Sequence, residues 1–263
     1  MRIGRTGLRI SLAAVLAATG AVARVAAGAQ GAQSPITVAA AISMKDALEA
    51  LEKRFAERGE GPKIVLTLGA SGILQKQIEE GAPVDVFLSA APAQMNALEQ
   101  KELLLAGTRR NIAGNRLVLV VPAGSTAVKN VEDLKKPEVR TIAIGETRSV
   151  PVGQYAAEAL RNLGLYDGLE SKFVYAQNVR AVLAYVSGRD ADAGFVYETD
   201  AKTTDKVSIA AHLPASSHTP VVYPAAVIRN SQNAAGARAF LDFLTSADAR
   251  AILEKYGFST PAN

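Results

Sequence analysis

Hydrophobic positions along this 263-residue chain follow two alternating periods. Short unbroken apolar runs, of the kind strands covered on both faces require, alternate with stretches in which apolar residues recur every three or four positions. "ITVAAA" (Ile36–Ala41) predicts the first strand. Residues 44–58 predict a helix, because Met44, Ala47, Leu48, Leu51 and Phe55 fall on one face. "KIVLTLG" predicts the next strand, followed by a helix over 72–80 that Gly81 stops. "VDVFLSA" predicts a third strand, residues 92–101 a helix, and "RLVLVVPAGS" a strand closing in a proline-glycine turn.

The pattern then restarts. A short helix over 131–136 leads to the strand "TIAIGE". Pro151 opens a helix and Gly164 closes it, with Ala156, Ala159, Leu160 and Leu163 on one face. "KFVYA" is a strand, Val179–Ser187 a helix ending at Gly188, and "AGFVYETDA" a strand with a loop. Residues 220–229 predict a further strand, and 234–256 two helices. Such alternation specifies an α/β fold whose sheets are mixed but mostly parallel and flanked by helices. Two blocks of this kind imply two lobes, 30–120 with 221–263 and 121–220, with chain crossings near 120–124 and 220–224.

The N-terminus stands apart. Arg2, Arg5 and Arg9 precede an alanine-rich apolar run and then small residues, the pattern of a secretory signal peptide over 1–29 with Ala27-Gly28-Ala29 as the cleavage site. Removing it changes the charge balance. Four of the 29 basic residues and none of the 25 acidic ones lie in 1–29, so the remainder holds 25 of each. Neutrality without a basic stripe argues against nucleic acid or a polybasic membrane contact. The chain has no cysteine, hence neither disulfides nor thiolate metal ligands.

Candidate chemistry gathers where strands run into helices, the usual ligand position of open α/β sheets. Ser43 follows the first strand, with Asp46 three residues on. Ser71 stands in "GASGIL", Val152 follows Pro151 in "VPVGQY", and Val179 follows Asn178 in "AQNVRAVL". First-turn N–H groups and seryl hydroxyls together suit a small anion. By spacing alone the two serines read as helix caps, and the two valines as core residues. Ser71 does not sit in a G-x-S-x-G elbow. Nucleotide-cradle motifs are absent. His212 and His218 fall in the polar stretch "AHLPASSHTP" and read as surface-loop histidines. Asp190 and Asp192 read as a solvated turn, and Arg180 as a solvated surface arginine.

The segments "VAAAISMKDALEAL", "GASGILQKQIEEGAPVDVFLSA", "NRLVLVVPAGS", "VPVGQYAAEAL", "NVRAVLAYV" and "GFVYETDA" occur in this order over nearly all of the chain beyond the leader. Together they resemble the molybdate-binding proteins of bacterial ABC importers, a branch of the periplasmic solute-binding proteins. The resemblance implies a two-lobed fold closing on molybdate, and on tungstate, without a cofactor. It implies an oxyanion held by neutral donors: Ser43 and Ser71 from the first lobe, Val152, Val179 and Tyr197 from the second. Molybdenum then enters only as bound molybdate. Val152 stands where many relatives have alanine, and Ala91 where they often have aspartate. The resemblance further implies a periplasmic monomer delivering its cargo to a membrane permease. Sulfate or another small anion is the alternative ligand. A serine esterase using Ser43 or Ser71 with His212 or His218 is the alternative class.

Overall fold

A computed structural model describes residues 34–59 and 61–260. The signal peptide expected over 1–29 lies outside the described residues. In chain order the elements are β1 (Ile36–Ala41), α1 (Lys45–Glu57), β2 (Ile64–Gly69), α2 (Ser71–Glu79), β3 (Val86–Leu88), α3 (Pro92–Gln100), β4 (Arg110–Asn115) and β5 (Leu117–Pro122). There follow β6 (Ile142–Gly145), α4 (Pro151–Asn162), α5 (Tyr166–Leu169), β7 (Phe173–Ala176), α6 (Val179–Ser187), β8 (Ala193–Tyr197), α7 (Glu198–Ala201) and β9 (Val207–His212). The chain ends with β10 (Val221–Val227), α8 (Ala234–Leu244) and α9 (Ala247–Lys255).

The strands form two sheets of one topology, β2-β1-β3-β10-β4 and β7-β6-β8-β5-β9. In the first, β1 pairs parallel with β2 and β3, while β10 runs antiparallel to both β3 and β4. In the second, β6 pairs parallel with β7 and β8, and β5 runs antiparallel to β8 and β9. One reversed strand per sheet therefore leaves four pointing the same way, the mixed, mostly parallel pattern expected. The five apolar positions on the face of the first helix are all buried: Met44, Ala47, Leu48, Leu51 and Phe55. Phe55 meets Phe240 and Phe243 of α8, with ring centroids 5.3 Å away in both cases. This packing joins α1 to the C-terminal helices on one side of the first sheet.

Three expectations need correction. Strands β4 and β9 were not anticipated, since "RNIAGN" and "VSIAAH" are only partly apolar. Each is an edge strand paired to a reversed strand alone, and that pairing rather than its own sequence places it in the sheet. A boundary at 120/121 would cut β5, which belongs wholly to the second sheet. The first crossing is at Arg116, between β4 and β5, and the second lies in 213–220, between β9 and β10. Pro224, expected at a crossing, sits inside β10, where the register shifts beside Tyr223. A bulge there accommodates a residue without an N–H.

Candidate functional site

The five positions singled out in the sequence lie at equivalent ends of the two sheets. Ser43 follows β1 and Ser71 follows β2; Val152 follows β6, Val179 follows β7, and Tyr197 ends β8. Because β1 and β6 hold the same place in their sheets, as do β2 and β7, each lobe contributes two matching helix starts. All five residues are at most 4% exposed.

Contacts across the lobes bring these ends together. The N–H of Gly72, in the first turn of α2, donates to the Ser149 carbonyl just before α4, at 3.0 Å. Gln94 of α3 donates to Gln154 of α4 at 3.1 Å. The turn Ile42–Met44 packs against α6. The Tyr197 ring meets that of Tyr223 with centroids 5.9 Å apart, and Tyr223 Oη lies 3.1 Å from Ser43 Oγ.

Neither serine caps its helix. Ser71 is the first residue of α2 behind Ala70, and its Oγ accepts from the Ala90 N–H at 3.0 Å. Ser43 lies in a 3-10 turn ahead of α1, and it makes no capping box with Asp46. Ser71 Oγ thus has a lone pair engaged while its proton stays free to donate. Asn178, by contrast, caps α6 as expected, its side chain accepting from Ala181 N at 3.0 Å. Val152 and Val179 stand in the first turns of α4 and α6, where an α-helix has no internal acceptor for its N–H groups.

Tyr197 is the most telling member. Its hydroxyl is buried and, among the described residues, has no hydrogen-bond partner. An orphaned buried hydroxyl costs roughly 1–3 kcal/mol, which an anion accepting its proton would offset. Burial drives its pKa well above the ordinary phenol value, so it is a neutral donor.

The formal charges beside the site pair with one another across the lobes. Arg180, next to Val179, is not the solvated arginine expected. It donates through Nη2 to Asp46 of the facing lobe and through Nε to Asp200, both at 2.6 Å. Burial alone would lower the guanidinium pKa, but the two carboxylates outweigh it and the value is raised. Burial pushes the Asp200 carboxyl up to about 7, against the pull of Arg180. Beside this triad an interlobe groove of about 940 Å³ is bordered by Ser43, Asp46, Arg180 and Lys202.

Other candidates fall away. His212 belongs to β9 rather than to a loop, 3.8 Å from Glu198. His218 pairs with its neighbour Thr219 through Nδ1 at 2.7 Å and meets the Tyr155 ring. Neither is a hydrogen-bond partner of Ser43 or Ser71, so no nucleophile-base pair forms. Asp190 and Asp192 are exposed in the turn after α6, as expected, and the Asp192 carboxylate also accepts from the backbone N–H of Arg140 and of Thr141 at 2.7 and 2.9 Å. Among the described residues no cluster of three or more His, Cys, Asp or Glu is placed to hold a metal ion.

A family model described as bacterial extracellular solute-binding protein matches residues 36–259. The chain belongs to that family. This makes it a binding protein of transport rather than an enzyme. The solute-binding protein is 40% identical over 233 residues to the molybdate-binding protein ModA of Haemophilus influenzae, covering 87% of this chain and 91% of that one. It is 36% identical to ModA of Escherichia coli, covering 89% and 93%. Among solved structures, the periplasmic molybdate-binding protein of Azotobacter vinelandii superposes with a TM-score of 0.78 at 27% identity, covering 86% of this chain and all of that one.

The sequence did not point to Tyr223, Asn115 or Gln94. Tyr223 lies within an ordinary strand pattern, Asn115 ends a strand that was not anticipated, and Gln94 reads as a surface residue of a short helix. Only pairing across the crossings brings them to the site.

Proposed function

We propose that this protein captures molybdate, and with it tungstate, between its two lobes and delivers the anion to an ABC permease in the membrane. The donors are the hydroxyls of Ser43, Ser71 and Tyr197 and the first-turn N–H groups at Val152 and Val179. The observation that carries this reading is the buried Tyr197 hydroxyl, which has no hydrogen-bond partner among the described residues, beside the converging strand ends. The molybdate-binding relatives, similar along most of their length, support it.

Neutral donors suit a fully ionised dianion. Molybdate, tungstate and sulfate offer only acceptors near neutral pH, whereas hydrogenphosphate carries a proton that needs an acceptor. None of the five positions is acidic, so hydrogenphosphate would leave a buried donor unpaired. Cavity size then separates molybdate from the smaller sulfate. Among the described residues the lobes are 34–115 with 221–260, and 117–220, and the bound anion bridges them, favouring the closed state that a permease would recognise. The protein acts as a monomer in the periplasm, exported by the leader at 1–29.

Calorimetric titration of the chain from Gln30 with molybdate, tungstate, sulfate and hydrogenphosphate tests the proposal. Molybdate and tungstate are expected to bind in preference to the other two. Ser43→Ala and Ser71→Ala should each weaken binding about 10- to 100-fold, the loss of one hydrogen bond to a charged group, while His218→Ala changes nothing. Absence of heat and of thermal stabilisation with every oxyanion would refute it.

A further inference from the structure

Four hydrogen bonds beside the site fix a direction that no single one of them reveals. Arg116, the crossing residue, donates its backbone N–H to Asn115 Oδ1 at 2.9 Å. A backbone N–H can only donate, so this atom of the amide is the oxygen and the other is Nδ2. Asn115 Nδ2 can in turn only donate, and it lies 2.8 Å from Thr199 Oγ1 and 3.3 Å from Tyr223 Oη. Tyr223 Oη therefore accepts. Its one proton must go elsewhere, and its other partner is Ser43 Oγ at 3.1 Å. The Tyr223 side chain is fully buried, so water does not compete for that proton.

We propose that Asn115 and Tyr223 are positioning residues that set the polarity of Ser43: the relay Asn115 Nδ2–H to Tyr223 Oη–H to Ser43 Oγ occupies a lone pair of the serine and turns its proton toward the bound anion. The inference rests on the oxyanion reading above and adds the source of its donor-only character. Ser71 reaches the same state more simply, by accepting the Ala90 N–H. Without the relay, the Ser43 hydroxyl could rotate to donate to Tyr223 and present a lone pair to the ligand, which suits a protonated anion.

Two substitutions separate polarity from packing. Tyr223→Phe removes the hydroxyl and keeps the ring against Tyr197 and Phe258. Asn115→Asp keeps the shape and the Arg116 contact but replaces the donor with an acceptor, so Thr199 and Tyr223 would donate to it and Ser43 to Tyr223. The readout is the ratio of molybdate to hydrogenphosphate association constants, measured by calorimetry at pH 8, where both are dianions. Each variant should lower that ratio at least about 10-fold. A new buried charge acting only by repulsion, or a general loss of order, weakens both dianions alike and leaves the ratio unchanged; that result overturns the relay. Wild-type affinities in both variants overturn it too. Failure of the wild-type protein to bind molybdate would instead overturn the parent reading. If either variant fails to fold, NMR of the wild-type protein decides: the relay predicts a cross-peak from the Tyr223 hydroxyl proton to the Ser43 β-protons, and a proton directed at Asn115 contradicts it.

Discussion

Gly72 lies where the lobes touch. A β-carbon there would stand 2.4 Å from the Ser149 carbonyl oxygen and 2.8 Å from its Cα, far inside van der Waals contact. Both obstacles are backbone atoms of the other lobe, so no side-chain rotation relieves them. Within its own helix Gly72 could be replaced by alanine at a gain in helix propensity. Gly72→Ala should therefore leave the melting temperature of the ligand-free protein unchanged or slightly raised. Molybdate affinity, read by calorimetry, should fall at least about 10-fold, because overpacking of this kind costs roughly 1–3 kcal/mol. Equal affinity in the variant would mean that closure does not bring α2 against Ser149. At this scale the sequence was legible for residue type but not for role. "GASG" singled out Ser71, yet the glycine beside it acts against a residue 77 positions further on, a relation that chain pattern does not carry.

The helix starts repeat one device in both lobes. Parallel strands β1 and β2, like β6 and β7, deliver helix N-termini to one edge. Although only β1 and β6 are buried, and the edge strands β2 and β7 expose Val65, Val174 and Tyr175, apolar runs made all four legible. The outer strands β4 and β9 were not, since their pairing with β10 and β5 replaces intrinsic preference. Charge followed the same rule. Arg180 reads as surface because its partners, Asp46 and Asp200, are distant in sequence. The Arg180–Asp46 pair crosses between α6 and α1. Its carboxylate is 39% exposed, which places its worth near that of a surface pair, up to about 1 kcal/mol. Asp46→Asn should thus weaken oxyanion affinity a few-fold at low salt, and the difference should shrink as salt screens the wild-type pair. A variant whose affinity deficit does not change with salt would remove the ion pair from the energetics of closure.

At the scale of the whole molecule, two sheets of one topology exchange the chain twice, at Arg116 and in 213–220. Doubling the βαβ unit puts the five candidate positions, which the family resemblance implies, at matching strand ends of the two lobes. The first crossing lies ahead of the expected 120–124, because nothing in the apolar run "RLVLVV" marks where one sheet stops and the next begins. The expected 220/221 boundary, by contrast, coincides with the start of β10. Asn115 adjoins the first crossing, so under the proposed relay the segment joining the lobes sets the polarity of Ser43. The central claim is that one oxyanion bridges the lobes through these donors. A crystal structure of the tungstate complex, with the metal located by its anomalous signal, tests it most directly. The account predicts one anomalous peak between Ser43 and Ser71 on one side and Val152, Val179 and Tyr197 on the other, with tungstate oxygens in hydrogen-bond reach of all five. A peak held by one lobe alone, or in the groove beside Lys202, would contradict it.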